Sequence, residues 1–202
     1  MQKTVLRDGK RGNRVLRALE PSAGEGHLAR ALRECGFEVT CVEQHPGRAS
    51  TLRSQGFTTL QADFLTLDLP RYDAVGMNPP FSAPRVRYAY AQHVEKAYTL
   101  LEPGGVLMAI VPAAALEPSA RASRFIWAHG SGEKLPSQSF RTSGTAVETA
   151  LVTLMHSHPV HDGQTTSNLP ALILETSRDT LRDPLHSTSH SEAPATAFYD
   201  LI

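Results

Sequence analysis

The sequence predicts an α/β fold built on a mostly parallel sheet, and three observations carry the prediction. Short apolar runs alternate with stretches of helical spacing between residues 15 and 155. Glycine or proline marks many of the junctions. A charged or amide residue closes four of the runs at their C-terminal ends. Strand-helix alternation implies right-handed crossovers and parallel neighbours.

The elements follow in order. Residues 1–14 form a short, polar, basic segment (Lys3, Arg7, Lys10, Arg11). Val15 to Leu19 reads as a buried strand, ended by Glu20 and the turn Pro21-Ser22-Ala23-Gly24-Glu25-Gly26. His27 to Cys35 is helical, with Leu28, Ala31, Leu32 and Cys35 on one side, and Gly36 stops it. Phe37 to Val42 is a second strand, closed by Glu43. Pro46 to Gln55 is a short helix that ends at Gly56. Phe57 to Gln61 is a third strand, and Asp63 follows it.

Tyr72 to Met77 is a fourth strand that runs into Asn78-Pro79-Pro80-Phe81. The prolines end it, because neither can donate to a ladder. Tyr90 to Leu101 is a helix. Pro103-Gly104-Gly105 turns the chain into a fifth strand, Val106 to Val111. A helix containing Phe125, Ile126 and Trp127 comes next. Two β-like runs, near Leu135–Phe140 and Val147–Met155, read as a terminal antiparallel hairpin. These elements place the folded domain at 15–155. Residues 156–202 are rich in Ser, Thr, His and Pro and read as a weakly ordered tail.

Composition narrows the classes. Apolar residues are 41% of the 202, enough for an ordinary core. Lys+Arg and Asp+Glu number 20 each, so a polyanionic partner would be held by a local patch and not by net charge. Cys35 and Cys41 fit neither a metal spacing nor a disulfide framework, and read as reduced thiols of a cytoplasmic protein. No apolar run follows the basic N-terminus as in a secretory leader, and none is long enough to cross a bilayer. His156, His158 and His161 read as tail residues, with no metal site expected.

In a parallel sheet all strand C-termini share one edge, and ligands bind there where the strand order reverses. Glu20 and the glycine turn, Glu43, Asp63 and Asn78 therefore converge on one crevice. Gly24 and Gly26 let backbone approach a ligand, since no Cβ intervenes. Glu43 is placed to accept hydrogen bonds from ribose hydroxyls. Asp63 is placed to accept from an adenine amino group, with Phe64 packing on the adenine face. Each feature alone has an ordinary structural explanation, a tight turn or a solvated carboxylate. Their convergence points to a nucleoside cofactor.

Asn78-Pro79-Pro80-Phe81 resembles the (Asn/Asp/Ser)-Pro-Pro-(Tyr/Phe) signature of amino-group methyltransferases. Leu19-Glu20-Pro21-Ser22-Ala23-Gly24-Glu25-Gly26 is similar to the cofactor motif of the same class. Tyr72 to Met77 and Leu101-Glu102-Pro103-Gly104-Gly105 also resemble it. Leu135-Pro136 and Phe140 to Thr145 resemble the later hairpin of the N6-adenine branch. The resemblance covers residues 15 to 155. It implies a Rossmann-like class I methyltransferase fold with a seven-stranded, mostly parallel sheet. It implies S-adenosylmethionine as cofactor, held by Glu20, Ala23, Gly24, Gly26, Glu43, Asp63, Phe64 and Asn78. The acceptor would be an exocyclic amino nitrogen, N6 of adenine in DNA or RNA, or else the amide of a protein glutamine. An inactive cofactor-binding subunit is a third reading, against which intact Asn78, Pro79 and Glu43 count.

The motif suits the chemistry. An aromatic amino nitrogen is a poor nucleophile because its lone pair is conjugated into the ring. Asn78 Oδ1 and the Pro79 carbonyl, fixed by Pro80, can each accept one of its N–H bonds. Phe81 can stack on the ring, which must be unpaired or flipped out. The cysteines lack the context of a covalent carbon-5 mechanism. Arg85 and Arg87 are placed to contact phosphate. Two departures matter. Only a short polar stretch precedes Val15, so the expectation is either weaker cofactor binding or a pocket completed by a second copy or a partner subunit. No segment resembles a target-recognition domain, so relaxed sequence context is expected.

Overall fold

A computed structural model describes residues 10–11, 14–82, 88–136 and 147–157. Its centre is β6 (Tyr72–Met77), in which all six residues are buried. A strand covered on both faces needs such a run. Around it a seven-stranded sheet forms in the order β5-β4-β3-β6-β7-β9-β8. The strands are β3 (Arg17–Glu20), β4 (Glu38–Val42), β5 (Thr58–Leu60), β7 (Leu101–Pro112), β8 (Gly130–Lys134) and β9 (Thr149–Met155). β3 to β7 pair in parallel, with Ala18 opposite both Val39 and Ala74, and Val75 opposite Leu107. β9 runs antiparallel between β7 and β8, from Val106↔Met155 to Pro112↔Thr149. The expected α/β fold with closing antiparallel strands is the fold observed.

Helices cover both faces. α1 (His27–Glu34) buries Leu28, Ala29, Ala31 and Leu32, a stripe at helical spacing. Gly76 admits it, since a Cβ there would lie 3.2 Å from Leu32. α2 (Pro46–Ser54) starts with proline at its first turn, which suits the fixed φ of that residue. α3 (Ala89–Thr99) buries Tyr90, Ala91, Val94 and Ala97, and α4 (Ser123–His129) buries Ile126.

Three elements differ from the expected ones. Val15 is exposed and lies outside the sheet. It belongs to β2 (Arg14–Val15), which pairs only with β1 (Lys10–Arg11). Leu16 takes the buried place. The rest of the basic segment lies outside the described residues. The strand expected near Leu135–Phe140 lies earlier, at Gly130–Lys134, and residues 137–146 lie outside the described residues. Its glycines serve packing: a Cβ on Gly130 would strike the Thr153 carbonyl, and one on Gly132 the Leu116 side chain. Third, the Pro103-Gly104-Gly105 turn is a bulge within β7. Tyr72 pairs with Leu101 and Ala74 with Val106, so β7 takes five steps where β6 takes two. Of the tail, His156 is described, and its backbone bonds Gly104 and Gly105. Residues 158–202, with His158 and His161, lie outside the described residues.

Candidate active site

The chain leaves β3, crosses outward to β4 and β5, then returns to place β6 on the other side of β3. The strand order therefore reverses between β3 and β6. Glu20 ends the first and Asn78 follows the second. Glu43 follows β4, and Asp63 follows β5. All four expected positions share the C-terminal edge of the parallel strands. With strands about 4.8 Å apart, they span three spacings, ~14 Å.

The glycine turn is held from below. Ala23, buried, donates its N–H to the Val42 carbonyl (3.0 Å), and Gly26 donates to Ala23 (2.7 Å). Glu43 accepts from the Gly24 N–H through Oε2 (2.8 Å) and from the His45 N–H through Oε1 (2.7 Å). That lock joins two turns separated by nineteen positions, and no local pattern announces it. A carboxylate has about four acceptor sites, so two remain for a ligand.

The two glycines differ. Gly24 has φ 54°, and nothing lies within 4 Å of where its Cβ would be. Gly26 has φ 81°, but its Cβ would sit 2.6 Å from Leu52. Gly24 thus leaves open space over the turn, whereas Gly26 admits α2.

Glu20 is the unusual group. It is 2% exposed, and its Oε2 is buried with no hydrogen-bond partner among the described residues. Burial pushes its carboxyl up to about 8, with the neighbouring Glu43 adding to the rise, against the Ala29 backbone and Arg30, which lower it. Beside it, burial raises the Cys41 thiol to about 12, with the Glu20 charge adding to the rise, so no thiolate forms there at neutral pH.

Asp63 is exposed, and its side chain caps a 3₁₀ turn by accepting from the Leu65 N–H (2.9 Å). Phe64 belongs to the core, 3% exposed, with its ring 5.7 Å from His93 and under Lys96. Asn78 is exposed, Pro79 buried, Pro80 exposed and Phe81 half-buried. No described residue hydrogen-bonds the Asn78 side chain. Arg85 and Arg87, and Phe140 to Thr145, lie outside the described residues.

Tyr88 carries no signal in the sequence that sets it apart. It is the one non-glycine residue with positive φ (62°) among the described residues. A separate depression of about 580 Å³, lined by Arg14, Val15, Arg17, Glu38, Glu102 and Pro103, opens at the opposite sheet edge. Its arginines are already paired, Arg14 with Asp73 and Arg17 with Glu102. No helix among the described residues is long and apolar enough to cross a membrane.

No family model and no curated protein matches the chain. Solved structures do. One is a protein from Listeria monocytogenes assigned to the class I S-adenosylmethionine-dependent methyltransferases. It has a TM-score of 0.58 and 19% identity, over 83% of this chain and 64% of that one. The chain thus spans less than two thirds of that relative. A second, assigned as an RNA methyltransferase from Pyrococcus horikoshii, has a TM-score of 0.54 and 20% identity, over 72% and 75% of the two chains. A third is the 1,6-didemethyltoxoflavin-N1-methyltransferase of Burkholderia thailandensis, solved with S-adenosylhomocysteine. It has a TM-score of 0.50 and 18% identity, over 70% and 71%. At such identities the likeness is one of architecture: the chain has the fold of class I methyltransferases.

Proposed function

We propose that the chain is an S-adenosylmethionine-dependent methyltransferase acting on an exocyclic amino nitrogen, N6 of adenine in DNA or RNA. The observation that carries the cofactor is Glu20 Oε2, buried at the reversal point of the sheet without a partner among the described residues. Such an atom costs free energy unless something donates to it. The ammonium of an amino-acid tail is a fitting donor. The open space at Gly24 and the two unused acceptor sites of Glu43 fit the ribose side of the same molecule. Asp63 lies farther along the edge, where its carboxylate would meet the adenine amino group. Phe64 would serve as the core floor beneath that position, not as an exposed face. Bound there, the cofactor would supply an electrophilic methyl group on its sulfonium.

The chain's own residues would prepare the acceptor. Asn78 Oδ1 and the Pro79 carbonyl each take one N–H of the amino group. Both acceptors hold more strongly as positive charge grows on nitrogen, so they stabilise the transition state more than the ground state. Pro80 stiffens the loop, and Phe81 offers an aromatic face to a planar ring. A structural neighbour assigned to RNA methylation supports a nucleic-acid acceptor, and one assigned to an N1-methylation supports transfer to nitrogen.

The test is incubation with methyl-labelled cofactor and a panel of DNA, RNA and protein, followed by digestion and mass spectrometry. N6-methyladenine is the expected product. Label on glutamine amide would move the acceptor to protein. No label on any polymer would remove the enzymatic reading.

A further inference from the structure

Resting on the amino-methyl-transfer reading, we propose that Tyr88 is a second aromatic platform, which positions the planar acceptor ring at the mouth of the Asn78–Phe81 loop. Its place follows from chain direction. α3 ends at Thr99, and Leu101 immediately afterwards pairs with Tyr72 at the start of β6. The helix therefore runs back along the sheet, and its N-terminus lies at the edge where β6 ends and Asn78 begins. Lengths agree: eleven helical residues rise ~16 Å, and six strand residues ~20 Å. Tyr90 and Ala91 pack in the same core cluster as Ala113 and Ala115, which follow the end of β7 at that edge.

Two further observations set Tyr88 apart. Its φ of 62° is a conformation that bulky side chains avoid, and glycine or asparagine would occupy it at less cost. Backbone strain of this kind persists at sites that use it. The turn also has a consequence for the side chain. Ala89, Tyr90 and Ala91 are all buried, whereas Tyr88 is 51% exposed. The left-handed step thus swings one aromatic ring outward while its successors enter the core. The ring is braced edge-on against Tyr90, with centroids 6.2 Å apart at 90°. Among the described residues, that leaves a face and a phenol group for a partner. A planar heteroaromatic amine suits both, because the face stacks on any base and the phenol can donate or accept at a ring edge.

The test uses Tyr88→Phe, Tyr88→Ala and Tyr88→Gly on single-stranded adenine oligonucleotides, with 2-aminopurine as the reporter of stacking. Tyr88→Gly is chosen because glycine accepts this φ. It should raise Tm while KM rises roughly tenfold and 2-aminopurine quenching falls, with kcat little changed. Tyr88→Ala should show the same KM without the gain in Tm. Tyr88→Phe should stay within about twofold of wild type, since the stacking face remains. Wild-type KM and quenching in Tyr88→Gly would overturn the proposal and leave the methyl-transfer reading intact. A wild type that methylates no substrate would overturn that reading instead.

Discussion

Two carboxylates lie buried on adjacent strands at opposite edges of the sheet, and they are treated differently. Asp73, near the start of β6, accepts from both terminal nitrogens of the Arg14 guanidinium (2.9 and 2.5 Å) and from the Arg17 N–H (2.9 Å). Glu20, at the end of β3, is equally buried, at 2%, yet one of its oxygens meets no donor among the described residues. The fold supplies three donors to one carboxylate and withholds a donor from the other. Burying a carboxylate is costly, so the first arrangement serves stability, and in the proposed function the second would receive the ammonium of the cofactor. One edge of the sheet pairs its buried carboxylate within the chain, and the other leaves a carboxylate oxygen unpaired among the described residues.

Substitutions should separate the edges. The largest effect is expected from Asn78→Ala, which should raise the barrier to methyl transfer by about 2–4 kcal/mol, with cofactor affinity and Tm near wild type. Single-turnover kinetics with saturating cofactor would measure it, and turnover near the wild-type rate would make the motif structural. Asp73→Asn should do the reverse. It should cost about 1–3 kcal/mol of stability and leave the cofactor dissociation constant unchanged, as read by thermal unfolding and calorimetry. Loss of cofactor binding in folded Asp73→Asn would erase the contrast between the edges. Glu43→Ala should weaken cofactor binding by about 1–3 kcal/mol, since it removes acceptors for the ribose and releases the Gly24 turn.

The smallest effect concerns pH. The Glu20 carboxyl lies at about 8 in the folded chain, above its ordinary value of 4.5. Between those values the folded state holds the proton and the unfolded state has released it, so stability falls as pH rises through the window. Equilibrium unfolding of the ligand-free protein at a series of pH values should show this decline. In Glu20→Gln it should be flattened. An identical slope in the two proteins would contradict the assignment.

The parallel half of the sheet was legible because its signals are local. Tyr72 to Met77 is an unbroken buried run halted by two prolines, and its bounds were read correctly. The convergence of Glu20, Glu43, Asp63 and Asn78 on one edge followed from topology alone. What escaped the reading depends on partners distant in sequence. The strand at Gly130–Lys134 carries two glycines and no apolar run, and only β9 and Leu116, lying where the glycine side chains would be, account for it. Gly24 and Gly26 look alike until Leu52 is placed against one of them. Phe64 was expected to face adenine, but the packing of α3 draws its ring inward against His93 and Lys96. Val15 reads as buried until Leu16 is seen to take that place.

The most direct test of Glu20 as part of a cofactor site is proton release. S-adenosylmethionine would be titrated into wild type and Glu20→Gln by calorimetry at pH 6.5, in buffers of different ionisation enthalpy. At that pH an α-amino group is still protonated, whereas Glu20 in the free protein holds its proton. An ammonium seated on Glu20 must expel that proton, so wild type should release close to one per cofactor bound, and Glu20→Gln should bind more weakly and release none. Wild-type binding with a heat independent of buffer, or equal affinity in the two proteins, would contradict it.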